Sequence, residues 1–226
     1  MMEKRGLNAS SIYWALAIQA LIAIIFLIFS SVTNHTGKFS FLIFNLFLAW
    51  VPLGIAIVLK KYLKNNPILS FKGILLAFVW VCFLPNSFYI LSDFIHLNNF
   101  NSVDILFDII TFFLVAVNGI IAGIISVYII HEELNKRLKS RQSLVIVMGL
   151  FLICGFGIYL GRYLRLNSWD IITNPLVLIF DMTNPLFDPE TQFKAFTACL
   201  GILGLIGSSY IILWQSIKYL THKARI

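Results

Sequence analysis

The sequence predicts an all-α, polytopic membrane bundle of six transmembrane helices, and three observations carry that prediction. Of 226 residues, 59% are hydrophobic and only 12% are charged, where a soluble domain carries about a quarter. The mean hydropathy is +0.89. Six apolar stretches of roughly 20 residues run without a charge, the length a helix needs to cross a hydrocarbon layer about 30 Å thick. Backbone groups in lipid must bond within their own segment, so the stretches are helices. None alternates with the period of two that a barrel strand requires.

The first stretch, Ser11–Val32, follows Lys4 and Arg5 and so imitates a signal peptide. Its run is longer than a signal core and no Ala-x-Ala site follows, so an uncleaved first helix is expected. The second, Phe39–Leu59, stops at Lys60 and Lys61. The third, Gly73–Ser92, contains Pro85, whose ring displaces a backbone hydrogen bond and predicts a kink. The fourth, Ile109–Ile130, is preceded by Asp104 and Asp108, one turn apart, where carboxylates gain from a helix N-terminus. The fifth and sixth are Gln142–Gly161 and Ala195–Ile217. Short loops favour antiparallel sequence neighbours and a single integral membrane domain over residues 1–226.

Loop 162–193 is the exception. It repeats Thr173-Asn174-Pro175-Leu176 as Thr183-Asn184-Pro185-Leu186, a capping side chain followed by proline, which marks helix starts. The run Pro175–Met182 is too short to cross, so a short interfacial or re-entrant helix is expected there.

Charge fixes the expected topology. Lys4, Arg5, Lys60, Lys61, Lys64, Lys72, Lys136, Arg137, Lys139, Arg141, Lys218, Lys223 and Arg225 fall on one side, 13 of the 17 basic residues. Lys38, Arg162, Arg165 and Lys194 fall on the other. The positive-inside rule then places both termini in the cytoplasm of a multi-pass cell-membrane protein. Seven of the ten acidic residues lie outside, so the net charge of +7 reflects topology and anionic lipid rather than nucleic acid.

Small residues mark expected helix contacts at Gly119-x-x-x-Gly123, Gly157-x-x-x-Gly161 and Gly204-x-x-x-Ser208, within one copy of the chain before a dimer. Cys82, Cys154 and Cys199 sit at membrane depth and read as small apolar residues, with no CxxC spacing.

The chemistry concentrates at the outer face. The third helix ends Leu84-Pro85-Asn86-Ser87-Phe88-Tyr89-Ile90-Leu91-Ser92-Asp93-Phe94-Ile95-His96. At 100° per residue, Asn86, Tyr89, Asp93 and His96 fall within an arc of roughly 80°, one polar stripe if the α-helix continues past Pro85. The fifth helix leaves as Gly161-Arg162-Tyr163-Leu164-Arg165-Leu166-Asn167-Ser168-Trp169-Asp170, with Arg162 and Arg165 expected to share a face. Two arginines on the outer side oppose the positive-inside bias, so something must hold them there. Three uses suit these residues. Arginine forks at Arg162 and Arg165, with Asn167 and Asp170 nearby, bind a phosphate or headgroup. Asp93 orients His96 as a general base. Asp93, His96, Asp104 and Asp108 bind a divalent metal, the weakest of the three on a bare Asp-x-x-His spacing. The bland reading is a salt-bridge network from Asp93 or Asp108 to Arg162 or Arg165, stitching helices three to five together.

Elsewhere, His35 and His222 stand alone. His131-Glu132-Glu133 lacks the second histidine of the zinc-protease motif and reads as the polar cytoplasmic end of helix four. No nucleotide loop, serine elbow, zinc cluster or kinase set is present.

A Pro-Asn-x-x-Tyr…Asp-x-x-His-Leu segment followed by Gly-Arg-[aromatic]-x-Arg-x-Asn-Ser-Trp-Asp resembles a bacterial integral membrane family, domain of unknown function thirteen sixty-one. The resemblance covers helices three to five and the outer loop. Ser87 and Phe88 depart from the alanine and proline associated with those positions. It implies a membrane protein with this cluster as its working end, and brings no activity, cofactor or metal.

The reading at this stage is an outer-face site of Asn86, Tyr89, Asp93, His96, Asp108, Arg162, Arg165, Asn167 and Asp170, partly covered by 171–192. It acts on a lipid or lipid-linked, phosphate-bearing substrate of the cell envelope, with membrane lipids as partners. The alternative is a non-enzymatic accessory subunit or small transporter. A transporter places ionisable groups near the midplane, where helices one, two and six offer only Asn45 and small hydroxyl residues.

Overall fold

The computed structural model of the chain describes residues 9–33, 40–99, 105–166 and 188–223, with Thr173, Pro175, Leu176, Phe180, Met182 and Thr183 between them; at Ala9, Thr33, Ser40 and 95–99 it describes the backbone alone. Six helical spans are long and apolar enough to cross a membrane. The first two are α1 (Ala9–Thr33) and α2 (Ser40–Leu63). The third is built from α3 (Phe71–Phe83), α4 (Pro85–Tyr89) and the start of a 3₁₀ helix over Ile90–Asn99. The fourth and fifth are α5 (Ile105–Asn135) and α6 (Ser140–Tyr163). The sixth joins α7 (Pro189–Ile202) to α8 (Ser208–Lys223) through a π turn at Leu203–Gly207.

Odd and even spans run in opposite directions, so the bundle has an end carrying Asp93 and an end carrying His131. Span four is its axis: 56% of its apolar window is buried, against 22% for spans one and six. The parallel pair α2 and α5 makes the most extensive helix contact, followed by α6 with α7. The outside is hydrocarbon, with Trp14 at 70% exposure and Phe47 at 65%. A surface this apolar is stable only against lipid.

Pro85 divides the third span. Leu84 keeps helical angles and its N–H still reaches the Trp80 carbonyl, so α3 passes into α4 without a break in direction of winding. After Tyr89 the chain tightens to three residues per turn for ten residues, an unusual length for a 3₁₀ helix.

Two pairs of glycines explain where α4 goes. A Cβ at Gly123 would stand 2.7 Å from the Ser87 Cβ and 2.8 Å from the Phe88 ring, and one at Gly119 would stand 2.8 Å from Ile90 Cδ1. From the other side, a Cβ at Gly157 would meet Pro85 Cγ at 2.6 Å, and one at Gly161 would meet Tyr89 Cε2 at 2.9 Å. α4 is therefore clasped between the glycine faces of α5 and α6, and both motifs serve contacts within one chain. The third motif differs. Gly204 lies in the π turn with no neighbour within 4 Å of its Cβ position, and the Ser208 hydroxyl bonds back to the Gly204 carbonyl. Among the described residues nothing packs against its Gly204 face, whereas Gly207 of the same turn faces Phe151 and Met148.

Buried polar groups tie the spans at mid-depth. The Asn118 carboxamide accepts from Trp50 Nε1 at 2.8 Å and donates to the Leu16 carbonyl at 3.0 Å and Gln19 Oε1 at 3.1 Å. Trp80 Nε1 donates to Ser126 Oγ at 2.7 Å, and Ser126 donates on to the Pro52 carbonyl at 3.0 Å. Each tie satisfies a group that hydrocarbon would leave bare.

Candidate functional site

At the Asp93 end, the 3₁₀ winding advances the chain 120° per residue instead of 100°, and this breaks the expected stripe. Asn86 and Tyr89 remain on the α-helical segment and line a cavity. Asp93 is swung out of that lining and buried, with 1% of its surface exposed. Asn45 Nδ2 of α2 donates to Asp93 Oδ2 at 2.8 Å, and Arg162 Nη1 of α6 reaches Oδ1 at 3.4 Å. Arg162 Nη2 also donates to the Ser92 carbonyl at 2.7 Å. The structure thus shows what holds Arg162 against the charge bias: a buried carboxylate and a carbonyl, both from the re-wound third span.

Both Asp93 oxygens are engaged, one by a carboxamide and one by a guanidinium. That is the setting of a structural counter-ion. It joins spans two, three and five, so the ion pair between Asp93 and Arg162 is one link of the expected network. Asp108 is not another. It is buried on α5 and accepts from Ser30 Oγ of α1 at 2.6 Å, while its Oδ2 has no hydrogen-bond partner among the described residues. A carboxylate one turn inside a helix start faces the neighbouring span rather than the arginines.

Arg162 and Arg165 do not share a face. α6 ends at Tyr163; Leu164 N–H and Leu166 N–H both fold back to the Leu160 carbonyl, at 3.2 Å each. Arg165 takes the left-handed conformation, φ 58°, that this reversal needs. For a residue with a Cβ that costs roughly 1–2 kcal/mol. Arg165 is exposed and forms no ion pair among the described residues.

The cavity is a slot between α2 and α6, floored by α3 and α4, with a volume of about 310 Å³. It runs from Ile153 to Gly161 along α6, roughly 12 Å at 1.5 Å per residue. Phe44 and Ile153, each 50% exposed, flank its side, so it opens laterally toward lipid. Its walls are apolar except for Asn45, Asn86, Tyr89 and Cys82, and Leu166 and Met182 cover it at the Asp93 end. The Tyr89 hydroxyl points across it toward the Gly161 carbonyl, 3.4 Å away.

Asn45 is the residue that sequence reasoning left out of the site: it both holds Asp93 and lines the slot. The signal was its position as a polar group deep in an otherwise apolar second span. Asn167, Asp170 and Asp104 lie outside the described residues, as does the side chain of His96, whose backbone belongs to the 3₁₀ helix. Among the described residues, no group of three histidine, cysteine or acidic side chains is arranged to hold a metal. In loop 162–193 the described positions Thr173, Pro175, Leu176, Phe180, Met182 and Thr183 are helical, and Leu176 and Phe180 are 81% and 70% exposed.

His131 is more than a polar helix end. It is fully buried, with Nδ1 2.6 Å from the Tyr210 hydroxyl and Nε2 3.3 Å from Ser143 Oγ, and its ring lies 5.0 Å from that of Trp214. The partners come from α8 and α6, so the residue ties three spans at its end of the bundle.

A family model described as "Protein of unknown function (DUF1361)" matches residues 44–206. No curated protein and no solved structure matches the chain. The matched range runs from α2 through the π turn and contains every residue of the slot and of the Asn45–Asp93–Arg162 tie. By this match, over more than two thirds of its length, the chain belongs to the DUF1361 family.

Proposed function

We propose that this membrane protein binds a lipid or lipid-linked molecule bearing phosphate, with one hydrocarbon chain in the slot between α2 and α6. The polar head then lies at the Leu166 end of the slot, where Arg165 is the preceding residue of the chain. The carrying observation is the slot itself: apolar walls, a lateral opening, and polar groups confined to its floor and covered end. Its length along α6, from Ile153 to Gly161, is roughly 12 Å at 1.5 Å per residue, which suits part of one extended hydrocarbon chain. Arg162 is already paired with Asp93, and Arg165 is exposed with no ion pair among the described residues, so Arg165 is the charge proposed to meet phosphate. The exposed apolar residues Leu176 and Phe180 suit a segment lying in the membrane interface above the slot. The distribution of basic residues supports a reading with this end on the outer face and both termini in the cytoplasm.

Native mass spectrometry of the gently solubilised protein tests the reading. Wild type should retain lipid, Leu160→Trp should lose it by filling the slot, and Arg165→Gln should weaken phosphate-bearing lipid selectively. Wild-type protein free of lipid, or a stable Leu160→Trp variant that retains as much, would sink it.

A further inference from the structure

The His131 end carries a second cleft, unconnected with the slot. It has a volume of about 360 Å³ and lies between α5, the start of α6 and α8. Tyr128, Glu132, Asn135, Ser140, Trp214 and Lys218 line it. We infer that this cleft binds the headgroup of an aminophospholipid, a primary ammonium joined to a phosphate.

The cleft wall is held in place from behind. The buried His131 ring packs against Trp214 and is fixed by Tyr210 and Ser143, and Ser143 Oγ donates to the Asn135 carboxamide. Trp214 and Asn135 therefore face the cleft in set positions, the condition under which a site binds without reordering itself.

Its lining carries both signs of charge, Glu132 and Lys218. Glu132 forms no ion pair among the described residues, whereas its neighbour Glu133 is occupied by Lys136 and Arg137. A half-buried carboxylate without a cation, amid a basic segment, attracts an ammonium group. Lys218 and Ser140, the first residue of α6, line the same cleft and bring to it a positive charge and a helix N-terminus, the setting that takes phosphate. Lys218 Nζ lies 5.2 Å over the Trp214 ring, so the aromatic face that would favour a quaternary ammonium is already covered by the protein's own cation. A primary ammonium, which donates hydrogen bonds to Glu132, fits instead. Ile217 also lines the cleft and is 39% exposed, which leads the attached chains onto the lipid-facing side of α8.

The test is lipid titration of the full-length protein by native mass spectrometry, with phosphatidylethanolamine, phosphatidylcholine and phosphatidylglycerol of matched chains. Wild type should bind the ethanolamine lipid about tenfold more tightly than the other two, the scale of one charge-assisted hydrogen bond. Glu132→Gln should erase that preference, and Lys218→Gln should weaken ethanolamine and glycerol lipids alike. Leu160→Trp should leave the preference intact, which separates this site from the slot. Displacement of the lipid by soluble glycerophosphoethanolamine would assign recognition to the headgroup alone; persistence would assign it to headgroup and chain together. Equal binding of the three lipids by wild type, a measurement that needs no variant, overturns the inference. So does a Glu132→Gln protein that keeps the preference.

Discussion

The Asp93–Arg162 pair makes an asymmetric prediction. Asp93 is the deeper partner, with its side chain 2% exposed against 17% for Arg162. Replacing Arg162 by Gln strands the carboxylate with Asn45 as its remaining partner and also removes the bond to the Ser92 carbonyl. Stranding a buried charge costs about 3–5 kcal/mol, and the long 3.4 Å contact puts this case at the low end, about 3 kcal/mol. Asp93→Asn keeps one acceptor for Asn45 or Arg162, and Arg162 can extend toward the surface, so about 2 kcal/mol is expected. The double variant leaves no stranded charge and should cost about 3 kcal/mol, where the singles sum to about 5. The coupling is therefore about 2 kcal/mol. Thermal unfolding in detergent would report Arg162→Gln as a loss of roughly 6–12 °C, at 2–4 °C per kcal/mol. Strict additivity, or Asp93→Asn as the worse single variant, would refute the buried-pair reasoning.

Three further expectations follow from other parts of the fold. Gly123→Ala should destabilise by about 1–3 kcal/mol because its Cβ meets Ser87 and Phe88, while Gly204→Ala, facing open space, should be neutral within about 1 kcal/mol; equal melting temperatures would contradict the clasp around α4. A C-terminal reporter that works only in the cytoplasm should be active, and a signal from the opposite side of the membrane would reverse the proposed orientation. Asp188 caps α7, and the Thr191 and Glu190 backbone N–H groups hold its carboxyl below the usual aspartate range. A folded-state value below the unfolded one stabilises above the unfolded pKa, about 3.9, and that contribution fades as pH falls through the folded value. Amide exchange at 190–192 should speed up on acidification in wild type, and Asp188→Asn should remove the pH dependence.

The six spans were legible because apolar length answers directly to bilayer thickness, and Pro85 announced a change in the third. What followed Pro85 was not legible. Ile90–Asn99 winds as 3₁₀ beyond a segment packed closely on Gly119 and Gly123 of α5, tertiary contacts with no local signature. The same holds for Asn45, whose partner Asp93 is 48 residues away, and for His131, buried by Tyr210 from 79 residues away. Arg165 was misplaced on the Arg162 face because neither glycine nor proline marks the end of α6. The helix ends with Leu164 and Leu166 N–H both bonded to the Leu160 carbonyl, and an arginine takes the left-handed position. The glycine pairs of α5 and α6 read correctly as contacts, and their shared occupant is the five-residue α4 segment of the third span.

The mid-depth and inner ties have a consequence for how the chain is assembled in the membrane. Asn118, Ser126 and His131 all belong to α5, and each satisfies groups on spans made before or after it. When only three spans have left the ribosome, the indole N–H groups of Trp50 and Trp80 and the carbonyls of Leu16 and Pro52 lack these partners. Insertion of the fourth span supplies them together, so the first half of the protein should become a unit at that moment. Until then spans two and three have the Asn45–Asp93 and Ser87–Ala49 hydrogen bonds available to them, and the half of the chain ending before Ile105 should be more sensitive to membrane proteases than the whole.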